Sequence, residues 1–78
     1  MPLSKLNQEL HADLIGAAAD MKWFAVDLLR IAERLNLAGN EVDAQAVMRI
    51  TMTFVGNEER LNAYADEVKL GFIKRDKA

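Results

Sequence analysis

Phe54-Val55-Gly56-Asn57-Glu58-Glu59-Arg60-Leu61 decides the fold, because its Gly56-Asn57-Glu58 repeats the Gly39-Asn40-Glu41 found earlier in Leu37-Ala38-Gly39-Asn40-Glu41-Val42. Gly-Asn followed by an acidic residue is a signal for one helix to stop and another to start. If both copies are turns, the chain makes three helices. If only the first is a turn, it makes two long ones, and a different surface is left for partners.

The residues around the second copy favour continuity. Val47, Phe54, Leu61 and Val68 recur every seven positions, and Ile50, Asn57, Tyr64 and Gly71 follow three behind, a heptad frame that passes through Gly56-Asn57 without a shift. Met48-Arg49-Ile50-Thr51-Met52-Thr53-Phe54 also alternates apolar and polar, as a strand would. A lone strand would leave its backbone donors and acceptors without a partner strand, so the helix is the better assignment. Gly56 inside a helix costs about 1 kcal/mol relative to alanine. Asn57 falls on the expected seam, where a buried amide fixes register at some cost in stability.

Working outward, the first half reads as one helix. Leu3, Leu6, Leu10, Leu14, Ala17, Met21, Phe24, Leu28, Ile31 and Leu35 step by three and four with one stutter near Leu14. Ser4 is a natural N-cap and Gly39 a natural left-handed stop. Ile15, Ala18, Val26 and Leu29 widen the apolar stripe on one flank, which implies more than one packing neighbour. The second helix has its own extra apolar group, Met48, Met52, Val55, Leu70 and Ile73.

The expected fold is therefore all-α, one domain. Helix 1 covers about 4–37, a turn about 38–40, helix 2 about 41–73, and a basic tail 74–78. Asn40 is expected to cap helix 2, with Glu41 and Asp43 in its first turn. Folded antiparallel about Gly39, Phe24 meets Phe54, Leu28 meets Ile50, Ile31 meets Val47, Ala17 meets Leu61, and Leu14 meets Tyr64. In the same register Arg30 and Arg34 come beside Glu41 and Asp43, while Lys69, Lys74 and Arg75 come beside Glu9 and Asp13. The apolar flanks left over predict that two hairpins dimerise into a four-helix bundle. A three-helix bundle with a break at Gly56-Asn57 is the alternative.

Composition bounds the chemistry. The 78 residues are 51% hydrophobic and 28% charged with a net charge of −2, too apolar for disorder and without the basic field that draws a chain to nucleic acid or an anionic membrane. There is no cysteine, which removes disulfides, thiolate metal sites and a cysteine nucleophile. Leu14 to Ala32 is the most apolar run, but Asp20, Lys22, Asp27 and Arg30 interrupt it, so no membrane span is expected. The N-terminus shows no basic region ahead of an apolar core, and a cytoplasmic protein is the expectation. His11 has no carboxylate or second histidine at metal-binding helical spacing, and Ser4, the one serine, sits at the chain start as a cap. No catalytic, metal or cofactor site is expected.

What remains is binding. Trp23, a residue type enriched at hot spots, falls on the polar side of helix 1, and Met48, Met52 and Val55 form an adaptable apolar group on helix 2. Arg49 and Asp20 are placed to add polar specificity. The acidic row Asp13, Asp20 and Asp27 reads as a solvated face, and Lys69, Lys74, Arg75 and Lys77 as a basic cluster at the end of helix 2. The expected function is a small non-enzymatic regulatory or inhibitory protein that binds itself and an unidentified protein through a helical face. RNA or DNA binding through the basic tail is disfavoured by its shortness and by Asp76, and a purely structural oligomerisation module is the other alternative.

Overall fold

A computed structural model describes residues 3–75, and within them the chain forms two antiparallel helices and no strand. α1 spans Lys5–Leu37 and α2 spans Glu41–Lys69. The hairpin is elongated, 55 × 22 × 15 Å along its principal axes. No helix among the described residues is long and apolar enough to cross a membrane.

The two Gly-Asn copies behave differently. At the first, Gly39 takes φ +84°, its N–H donates to Asn36 O at 3.1 Å and the Asn40 N–H donates to Leu35 O at 2.8 Å. That pair of bonds closes α1 in a left-handed glycine cap. At the second, Gly56 stays helical and α2 runs straight through, so the three-helix alternative does not hold. A β-carbon added at Gly56 would meet nothing within 4 Å. Gly56→Ala is therefore expected to raise stability by about 1 kcal/mol, a melting-temperature gain of about 4–8 °C for a domain of this size. Thermal denaturation followed by circular dichroism reads this directly, and a loss of stability would show that the position is crowded.

The stop that α2 does use is Gly71, and the helix ends at Lys69, four residues before the expected end at 73. Gly71 takes φ +87°, donates to Val68 O at 3.1 Å, and is followed by Phe72 donating to Glu67 O at 2.8 Å. The same glycine cap thus closes both helices. Gly71 also falls in the heptad frame of Ile50, Asn57 and Tyr64, where spacing alone predicts that the helix continues. At the start of α1 the Ser4 Oγ accepts from the Asn7 N–H at 3.2 Å. Asn40, in contrast, makes no side-chain cap bond to α2, and its N–H closes α1 instead.

The seam also differs from expectation, by one residue in each helix. Ala18, Ala25 and Ala32 are buried on α1, with Leu14, Met21, Leu28 and Leu35 half-buried between them. On α2 the buried set is Ala44, Thr51, Ala65 and Val68, with Val47, Phe54 and Leu61 half-buried. Phe24 and Phe54 meet edge to face with ring centroids 6.2 Å apart, and Leu29 and Ala32 share a cleft with Ala44 and Met48. An antiparallel register through Phe24–Phe54 places Ala25 within one residue of the level of Phe54, and likewise Ala18 of Leu61, Ala32 of Val47, Leu14 of Ala65 and Leu28 of Thr51. Each layer then combines one small side chain with one large one, which lets two helices approach closely at full packing density. The Thr51 hydroxyl donates to Val47 O at 2.9 Å, so the one buried hydroxyl of the seam is satisfied.

The residues displaced from the seam are the bulkier neighbours. Phe24 is 51% exposed, Ile31 41%, Ile50 50% and Tyr64 45%, while Ala17 is half-buried. Ile50 and Tyr64, expected opposite Leu28 and Leu14, therefore lie at the edge of the seam rather than in its buried centre. Asn57 is half-buried on the flank beside them, where its Oδ1 accepts from the Arg60 guanidinium, and it does not supply a buried amide between α1 and α2.

At the open end the chain folds back after Gly71. The Arg75 N–H donates to Oδ1 of buried Asn7 at 2.9 Å, and its guanidinium lies 3.7 Å from Asp13. The expected attraction between the end of α2 and Asp13 is thus realised by Arg75, whereas residues 76–78 of the basic tail, including Lys77, lie outside the described residues. At the turn end the expected ion pairs do not form. Arg30 instead approaches Asp27 at 3.9 Å, and Arg34 Nε donates to Arg30 O at 3.5 Å. Both are exposed contacts within one helix, worth a few tenths of a kcal/mol at most.

Candidate functional site

Because small residues hold the seam, the hairpin carries its large apolar side chains outside, on two broad faces. Residues seven apart share a helix face. One face takes Leu10, Ala17, Phe24 and Ile31 from α1 and Asp43, Ile50, Asn57 and Tyr64 from α2, with Asp43 the one charge in these two series. A shallow groove of about 280 Å³ opens there, lined by Met21, Asn57, Arg60, Leu61 and Tyr64.

The opposite face takes Ile15, Lys22, Leu29 and Asn36 from α1 and Glu41, Met48, Val55, Asn62 and Lys69 from α2. It contains the larger cleft, about 450 Å³, near the turn. Leu29, Ala32, Ala44 and Met48 form its apolar part, and Glu33, Glu41, Asn36 and Gln45 its polar part. Its chemistry is one of two carboxylates and two carboxamides around an aliphatic floor. Such a set suits an apolar group carried between cationic or hydrogen-bonding neighbours.

The six residues expected to contact a partner divide into two patches. Met48, Met52 and Val55 lie at spacings of four and three on one side of α2, with Arg49 one turn from Met52 at their edge. Met52 is 67% exposed, and Met48 and Val55 are exposed beside it. Trp23 is 61% exposed on the side of α1 facing away from the seam, with Asp20 one turn before it. The Lys22 ammonium sits 5.8 Å from the Trp23 ring centroid, a cation–π contact at the surface. The hairpin does not gather the Trp23 patch with the methionine patch.

The cleft itself was missed from sequence, because it is built from the seam alanines Ala32 and Ala44. Its signal was available in the seven-residue recurrence of Ala18, Ala25 and Ala32, which runs parallel to the bulkier series Ala17, Phe24 and Ile31. His11 is half-buried, and among the described residues no group of three or more His, Asp or Glu side chains is gathered as a metal site. Comparison with known proteins finds no matching family model, no matching curated protein and no matching solved structure.

Proposed function

We propose that the hairpin is a non-enzymatic regulatory or inhibitory protein that pairs with a second copy into a four-helix bundle and binds another protein through a helical face. One observation carries this reading: two long helices pack through alanines while Phe24, Ile31, Ile50, Tyr64, Met48, Met52 and Val55 stand exposed. Contiguous apolar surface of this kind marks interaction sites in proteins that remain folded and dispersed. The Leu29–Met48 cleft and the adjoining Met52 and Val55 are the surface for the protein partner. A helix presenting an aliphatic side chain flanked by Lys or Arg matches its apolar floor and its Glu33 and Glu41 rim. Trp23 and Asp20 form a second contact patch on the outer side of α1, and Arg49 adds a polar contact beside Met52.

Two measurements test this. Light scattering at micromolar concentrations is expected to give twice the chain mass of 8.7 kDa. A single-chain mass throughout would overturn the dimeric part. Partner capture from cell extract is then compared between the unmodified chain and Met52→Asp, a surface change that leaves the helices intact. A protein held by the first and lost by the second is the expected result, and equal capture by both would remove the methionine patch from the binding surface.

A further inference from the structure

We infer that the Leu29–Met48 cleft takes two guanidinium groups, one on each wall, carried by an arginine-bearing basic helix of the partner. The inference rests on the partner-binding reading above and names the chemistry of the segment that fills the cleft.

The rim is patterned. Each wall holds one carboxylate and one carboxamide about one turn apart, Glu33 with Asn36 on α1 and Glu41 with Gln45 on α2. Residues at those spacings are neighbours on a helix surface. The antiparallel register through Phe24–Phe54 sets Glu33 level with Gln45, and Asn36 within one residue of the level of Glu41. Acid therefore faces amide across the cleft at both levels, and the two carboxylates occupy diagonal corners. They are offset by about 6 Å along the helix axes, from the rise of an α-helix.

Charge gives the sign of the occupant. The two ion pairs formed among the described residues, Arg30–Asp27 and Arg75–Asp13, leave Glu33 and Glu41 without a cationic partner. Arg34, next to Glu33 in the chain, turns its Nε onto Arg30 O. Arg49 is not part of the lining. The rim thus carries two uncompensated negative charges beside a floor of Leu29, Ala32, Ala44 and Met48. A cation on an apolar stem satisfies both features, and an acidic segment is repelled.

Donor geometry separates arginine from lysine. A guanidinium carries five N–H donors in a planar fork, enough to reach the carboxylate and the carboxamide oxygen of one wall together. An ammonium is a compact, strongly hydrated point charge and makes less use of that fixed pair. With one arginine on each flank, the volume of about 450 Å³ leaves room for an aliphatic side chain on the floor between them.

The probe is a dye-labelled, alanine-based helical peptide with leucine on one face and arginine on both flanks, titrated with the full chain and followed by fluorescence anisotropy. Lysine and glutamine versions of the same peptide are the controls. The lysine peptide is expected to bind about fivefold more weakly than the arginine peptide, and the glutamine peptide more weakly still. Glu33→Gln and Glu41→Gln, both at exposed positions, are each expected to weaken the arginine peptide about fivefold, the upper range for one exposed ion pair. Equal affinity of the three peptides, or indifference to both substitutions, would overturn the guanidinium subsites. No peptide binding, with partner capture still lost in Met52→Asp, would overturn them and leave the partner-binding surface standing. No peptide binding together with capture indifferent to Met52→Asp would remove both. Loss of self-association in Glu33→Gln, read by light scattering, would assign the cleft to a second copy and overturn the peptide-binding role.

Discussion

Ala65→Asp is expected to leave the chain largely unfolded at room temperature. Ala65 is fully buried, as is Val68 one turn further on. An aspartate there must either bury a carboxylate in the seam or push the helices apart. Burying a polar group without a partner costs about 2–7 kcal/mol, and an ionised one more. A single core of this size supplies about 3–5 kcal/mol in all, so the substitution removes most or all of the margin. Far-ultraviolet circular dichroism would show lost helicity, and urea titration would show no folded baseline. A cooperative transition near that of the parent would place Ala65 on the surface and refute the seam.

The second large effect comes from size alone. Ala25→Leu inserts three carbon atoms at a buried position level with Phe54, and overpacking of this kind costs about 1–3 kcal/mol. The melting temperature is expected to fall by about 4–8 °C for each kcal/mol. Ala19→Leu, at an exposed position of the same helix, changes stability by no more than about 0.5 kcal/mol. The pair separates two seams that the sequence allows. If α1 packed through Ala17, Phe24 and Ile31, Ala25→Leu would be tolerated.

That one-residue difference shows where sequence reasoning stops. Helical character, the turn at Gly39 and the Phe24–Phe54 contact all follow from spacing, because heptad periodicity and antiparallel order fix them whatever the precise rotation of each helix. Rotation is decided by how close the two axes come. Spacing favours the most apolar stripe, and for α1 that is the stripe of Leu10, Ala17, Phe24 and Ile31. Close approach favours the smallest residues, and Ala18, Ala25 and Ala32 lie one position on. Turning from one stripe to the other exposes Phe24 and Ile31 and creates the Leu29–Met48 cleft, so the candidate site depended on the same choice. Gly71 was illegible for a related reason. It occupies a heptad position of the same series as Asn57 and Tyr64, and the positive φ that makes it a stop is a property of the backbone rather than of the periodicity.

The hairpin's topology also orders its assembly in time. Every contact across the seam closes a loop centred on Gly39, so loops lengthen steadily with distance from the turn. Phe24–Phe54 spans 30 residues, whereas the Asn7–Arg75 bond spans 68. Closure entropy grows by about 0.6 kcal/mol for each doubling of loop length, so the outer contact costs about 0.7 kcal/mol more to nucleate than the inner one. The chain thus zips from the turn outward, and the clasp of Arg75 on Asn7 and Asp13 forms last and opens first. Amide exchange is accordingly slowest around Ala32 and Ala44 and fastest beyond Val68, a gradient in which the cleft near the turn belongs to the most persistent part of the molecule.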